Sequence, residues 1–177
     1  YSDEALQIAL DHNLTILGTS DIHGIIDWQY KTPNNGHRPV TLVFTRERTT
    51  QSIKQGLKNG RTVVWFNNLL IGREEYIQPL INECLNIVSV RYRKGSTVVS
   101  VTITNHSDVE FVLRNISKYT FYADADLVTI PPHGKKLLEV KTLGHPSKFE
   151  LRFSVLNAII APGMHPELTM PVSRRWR

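Results

Sequence analysis

Two residues open the chemical question. Asp21 and His23 stand two apart in "GTSDIHG", directly after the apolar run Leu14-Thr15-Ile16-Leu17. Side chains at i and i+2 of an extended chain point the same way. A carboxylate oxygen and an imidazole nitrogen would then reach one point, a donor pair that suits zinc, manganese or iron. Two ligands do not complete such a site, because a catalytic zinc takes three protein ligands and a binuclear centre more. His37 is a third candidate, since its loop leaves the strand end that carries the pair. The plain alternative makes Asp21 a turn former and His23 a loop histidine. His12, His106, His133, His145 and His165 fall at a helix end, in turns or near the tail, and read as surface histidines.

The elements that must position these groups follow from pattern. Residues 2–12 predict a helix: Ser2 is the N-cap, Asp3 and Glu4 suit its positive end, and Ala5, Leu6, Ala9 and Leu10 form its apolar face. Residues 14–19 read as a buried strand. Residues 24–37 read as a loop with turn residues Pro33, Asn34, Asn35 and Gly36. Val40–Thr45 is a second strand. Thr49 or Thr50 caps a short helix carrying Ile53 and Leu57, and Asn59-Gly60 ends it. Thr62–Phe66 is a third strand, and Asn67-Asn68 reads as a turn. This order is an α/β pattern, and in α/β barrels functional groups gather at the C-terminal strand ends. Tyr76, Ile77, Leu80, Ile81 and Cys84 suggest another helical stretch, interrupted by Pro79.

Beyond residue 85 the apolar period becomes two. Val88, Val90 and Tyr92 alternate with polar residues, as do Val99, Val101 and Ile103. Val109, Phe111 and Leu113 follow, then Leu137–Val140, then Phe149, Leu151, Phe153 and Val155. Such strands, separated by turn signals, predict an all-β immunoglobulin-like sandwich without the Cys–Trp–Cys signature. The domain reading is therefore an α/β part over 1–72, a junction over 73–84 and a β-sandwich over 85–177.

Bulk composition sets outer bounds. The 177 residues are 41% hydrophobic and 21% charged, as expected of packed domains. No apolar stretch is long enough to cross a bilayer. The net charge of +5 is modest and scattered apart from Arg174, Arg175 and Arg177, so no nucleic-acid stripe is evident, although an anionic substrate fits the sign. Cys84 is the only cysteine, so no internal disulfide forms. Asn13, Asn105 and Asn115 open Asn-x-Ser/Thr triplets, patterns short enough to arise by chance.

The stretch "LTILGTSDIHG", followed by "HRPVTLVFTRERTTQSIKQGLKNGRTVVWFNN", resembles the end of a polymerase and histidinol phosphatase (PHP) domain, over roughly residues 1–70. The resemblance implies the last part of a distorted β/α barrel with an appended sandwich. It also implies metal-dependent phosphoester hydrolysis with two or three divalent ions (Mn, Zn or Fe). Asp21 and His23 match the family's final ligand pair. The family's other motifs, a His-x-His pair, a glutamate and further histidines, belong to the N-terminal part of the domain. On this reading the chain, opening at Tyr1 inside a helix, is the C-terminal portion of a longer protein and holds no complete site. Gly24 would let the chain turn beside the ions. Arg38, with His37, would contact a substrate phosphate, since guanidinium matches phosphate geometry. Trp28 and Tyr30 would either wall the pocket or pack the loop onto the barrel.

The expected partners are a phosphorylated small molecule, mono- or diester, and the missing N-terminal part. A periplasmic or secreted home is favoured over the cytoplasm, by association with appended sandwiches. The alternative is a non-enzymatic sandwich that binds protein or carbohydrate through an exposed row of Tyr119, Phe121 and Tyr122, with residues 1–70 as a remnant.

Overall fold

A computed structural model describes residues 1–30 and 37–173. The turn residues Pro33–Gly36 and the terminal arginines lie outside the described residues. The chain divides into two compact units: residues 1–77 with 158–165, and residues 78–157 with 166–177. The segment 158–165 thus groups with the first unit, not with the sandwich as the sequence reading has it.

In the first unit, helix α1 (Asp3–Asp11) starts where Ser2 Oγ accepts the Ala5 amide, as predicted. A short helix α2 (Ile26–Tyr30) forms inside the stretch read as loop. Strand β1 (Val40–Val43), helix α3 (Thr50–Lys58), β2 (Thr62–Phe66) and β3 (Leu69–Gly72) follow. Thr49 caps α3 through the Ser52 amide. The helix meets β1 through Gly56, where a Cβ would stand 2.7 Å from a Val43 methyl, while Ile53 stays exposed. Asn67 and Asn68 both have positive φ, 48° and 60°, and join β2 to β3 in a two-residue hairpin turn. The sheet order is β1-β2-β3-β11, with β11 (Ala158–Ile159) parallel to β3 and the other pairs antiparallel. Among the described residues this is a mixed sheet, not the parallel ladder that a run of β/α barrel units would give.

Residues 14–19 are the main departure from expectation: they are extended but belong to no strand. They lie on the sheet face that carries Thr41, Thr62 and Val64. The Thr41 hydroxyl accepts the Gly18 amide at 3.0 Å and donates to the Gly18 carbonyl at 3.1 Å. Thr62 donates to the Ile16 carbonyl at 2.7 Å, and Thr15 donates to the Leu57 carbonyl. Side-chain hydroxyls thus satisfy backbone groups that a neighbouring strand would otherwise pair. Leu6, Val64, Ile71 and Ile159 form the small core beneath, with Leu10, Ile16 and Leu69 against it.

Helix α4 (Glu74–Cys84) runs through Pro79 instead of breaking there, with Ile77 and Ile81 fully buried. The lost hydrogen bond at a proline is offset by apolar burial on either side.

The second unit is a sandwich of two four-stranded sheets. One has order β4-β5-β9-β7: β4 (Leu85–Tyr92), β5 (Val98–Asn105), β9 (Lys135–Lys141) and β7 (Thr120–Phe121). The other has order β12-β10-β6-β8: β12 (Glu167–Ser173), β10 (Lys148–Val155), β6 (Phe111–Asn115) and β8 (Leu127–Ile130). Val99, Val101, Ile103, Leu138, Val140, Leu151 and Phe153 point inward and are fully buried. A bulge between Ile87 and Ser89 breaks the β4 alternation, so Val88 faces solvent instead of the core.

Two of the Asn-x-Ser triplets are turn devices built alike. Asn105 Oδ1 accepts the Ser107 amide and its Nδ2 donates to the Val109 carbonyl. Asn115 does the same with Ser117 and Tyr119.

Candidate metal centre

Asp21 and His23 come together, by a different route from the one the spacing suggested. The chain does not stay extended past Ser20. Asp21 takes a left-handed conformation (φ 45°), which short polar side chains tolerate. That turn brings Asp21 Oδ1 and His23 Nε2 to 3.5 Å, with both side chains about nine-tenths exposed. Gly24 does not have a left-handed φ, and a Cβ there would meet open space. The sharp turn expected of Gly24 is therefore made at Asp21.

The support beneath the pair is aromatic. Tyr30, at the end of α2, donates its hydroxyl to the Ser20 carbonyl at 2.6 Å and sets its ring edge-on to Phe66, with centroids 5.8 Å apart. This ties the residue before Asp21 to β2. Of the two expected readings, Tyr30 follows the packing one, while Trp28 is 80% exposed. Ser20 stands in the sequence as part of the motif and Phe66 as a packing aromatic; Thr41 shows there only as a strand residue, and its hydroxyl contacts with Gly18 need the fold.

His37 does not join the pair. Its ring packs on Trp65 at 4.1 Å, and Nδ1 lies 2.8 Å from the Arg38 carbonyl. The carbonyl can only accept, so Nδ1–H is the donor of that contact. Arg38 beside it is exposed. Among the described residues, no three His, Cys, Asp or Glu side chains form a group that could hold a metal.

The pair fits a metal as two ligands of a larger set. Ligands at about 2.1 Å from a tetrahedral ion lie about 3.4 Å from each other, close to the separation seen here. The donor chemistry, one carboxylate and one imidazole, suits the first-row metals named above.

Three other histidines are engaged elsewhere: His133 with Asp108 at 2.7 Å, His145 with the Tyr92 ring, and His165 with the Ala158 carbonyl. Burial pushes the Cys84 thiol above its ordinary range, which keeps it protonated and a poor nucleophile. The aromatic row expected on the sandwich is broken. Phe121 is in the core, stacked on Phe153, and only Tyr122 of the three is largely exposed.

Residues 85–171 match the DUF5001 family, an Ig-like domain. Among solved structures, the chain is similar to a two-domain protein containing a predicted PHP-like metal-dependent phosphoesterase from Bacteroides vulgatus ATCC 8482. The two are 32% identical with a TM-score of 0.86, over 97% of this chain and 50% of that one. This chain therefore spans half the length of that relative. A search of curated proteins finds no match.

Proposed function

We propose that this chain is part of a PHP-type metal-dependent phosphoesterase and that Asp21 and His23 supply two of its metal ligands. The observation that carries the reading is the 3.5 Å approach of Asp21 Oδ1 to His23 Nε2. The likeness to a protein with a predicted PHP-like phosphoesterase supports the same chemistry. The remaining ligands come from outside the described residues. A divalent ion bound there would polarise a phosphoryl oxygen and supply hydroxide near neutral pH.

This chain's own residues hold and orient. Asp21 offers a carboxylate oxygen and His23 its Nε2. The left-handed turn at Asp21 sets their angle, and the Tyr30 hydroxyl fixes the carbonyl just before it. Arg38, next to His37 in the chain, would meet the substrate phosphate with paired N–H donors. The substrate is a phosphomonoester or phosphodiester.

In the longer protein, Asp21→Ala and His23→Ala should each lower bound metal and reduce turnover by more than the about 10- to 100-fold that loss of an outer-shell partner costs, without loss of secondary structure. Full metal content and turnover in both variants would remove these residues from the site. The 177-residue chain alone should not hydrolyse nitrophenyl phosphate, and robust turnover by it would contradict the partial ligand set.

A further inference from the structure

The extended segment 14–19 uses only one of its two edges. In an extended chain the N–H and C=O of one residue point to the same edge, and those of the next residue to the opposite edge. The edge of the even-numbered residues is held from within the first unit. Arg73 donates to the Leu14 carbonyl at 3.0 Å, Thr62 donates to that of Ile16, and the Thr41 hydroxyl bonds both backbone groups of Gly18. The other edge is open. Among the described residues, the N–H and C=O groups of Thr15, Leu17 and Thr19 have no hydrogen-bond partner. A row of such groups at every second residue is a template for pairing with another strand.

The open edge and the apolar groove of the first unit are one surface. Thr15, Leu17 and Thr19 all line that groove, together with Leu6, Phe66 and Leu69. Leu17 is 53% exposed. Backbone donors and acceptors in a row, with apolar side chains beside them, fit an extended polypeptide. Its main chain would bond the edge, and every second side chain would enter the groove.

We propose that this edge takes up a β-strand, apolar on its groove side, from the part of the longer protein that lies outside these 177 residues. The proposal rests on reading the chain as part of a longer protein, but not on the metal chemistry. Two observations choose this occupant. The chain spans half the length of its structural relative, so a protein of that size has as much polypeptide again to supply a strand. The edge also runs directly into Ser20 and the Asp21–His23 turn. A strand paired along it therefore ends beside the two ligands, where the remaining ligands have to arrive.

The test is residue-resolved amide hydrogen exchange by NMR on the 177-residue chain and on the longer protein, both without added metal. In the 177-residue chain, Thr15, Leu17 and Thr19 should exchange fast at every protein concentration while Gly18 is slow. In the longer protein the three should slow by about 100-fold or more, and the Leu17 amide should show cross-strand nuclear Overhauser contacts to residues outside the 177. Equal exchange in the two proteins would overturn the proposal, as would slowing without those contacts. Slow exchange of the three amides in the 177-residue chain would also overturn it, and a rise with concentration would assign the edge to a second copy. A paired edge in a protein that takes up no metal would sink the phosphoesterase reading alone. Metal uptake with a free edge would sink this proposal alone.

Discussion

The two units reach stability differently. The second encloses its apolar side chains between two sheets, and residues such as Ile103, Phe111, Leu138, Leu151 and Phe153 lose all exposure. The first has one sheet. A nine-residue helix and the extended segment 14–19 cover part of one face, leaving a groove of about 460 Å³ whose lining includes Leu6, Ile16, Leu17, Val64 and Ile71. Tyr1, Ile8, Leu14, Leu17 and Trp28 remain more than half exposed. The difference teaches where function can be disturbed cheaply. The sandwich is held by many redundant contacts. The loop that carries Asp21 and His23 is held by a few hydroxyls and one close glycine contact, so small changes there should reach the site.

Truncation in the dense core should cost most. Phe153→Ala removes a fully buried ring stacked on Phe121 and should lower unfolding free energy by about 3–5 kcal/mol in urea titration. Leu6→Ala, in the small cluster of the first unit, should cost about 2 kcal/mol. A Leu6 loss equal to that of Phe153 would mean the first unit is as tightly built as the second.

A substitution at Gly18 probes the seam between segment and sheet. A Cβ there would stand 2.5 Å from a Val64 methyl, and a β-branched side chain yields little. Gly18→Ala should therefore destabilise by about 1–3 kcal/mol and shift the amide resonances of Ser20 to Gly24. Unshifted resonances would show that the segment is not seated on Val64.

The smallest effect belongs to Thr41→Val, which keeps the shape and deletes one hydroxyl. The loss should be about 0.5–1.5 kcal/mol, accompanied by faster hydrogen exchange at the Gly18 amide that the hydroxyl accepts. Unchanged exchange would place the hold on the segment elsewhere.

The sequence revealed much of this arrangement, for reasons that differ by element. Local signals were reliable: the Ser2 and Thr49 caps, the Asn67-Asn68 turn and the alternation along β5 and β10 depend on neighbours in the chain. Residues 14–19 read as a strand because an apolar extended segment has the same composition whether strands or hydroxyls satisfy its backbone. Strand β12 was missed although Leu168, Met170 and Val172 alternate inward. It is an edge strand, where the missing N–H of Pro171 is tolerated. The exposure of Val88 follows from a bulge that alternation cannot reveal. In the site, the Asp-x-His spacing identified the partners, but alternation along a strand does not reveal the positive φ of Asp21 that joins them. Likewise, the attachment of His37 to Trp65 needed the fold.

The central claim is that Asp21 and His23 act as one metal-binding pair. The most direct test is a titration of the 177-residue chain with paramagnetic Mn²⁺, followed by amide NMR. The account predicts weak binding with line broadening centred on Ser20 to Gly24, abolished by Asp21→Ala and by His23→Ala. Broadening centred elsewhere, or persisting around residue 22 in both variants, would contradict it.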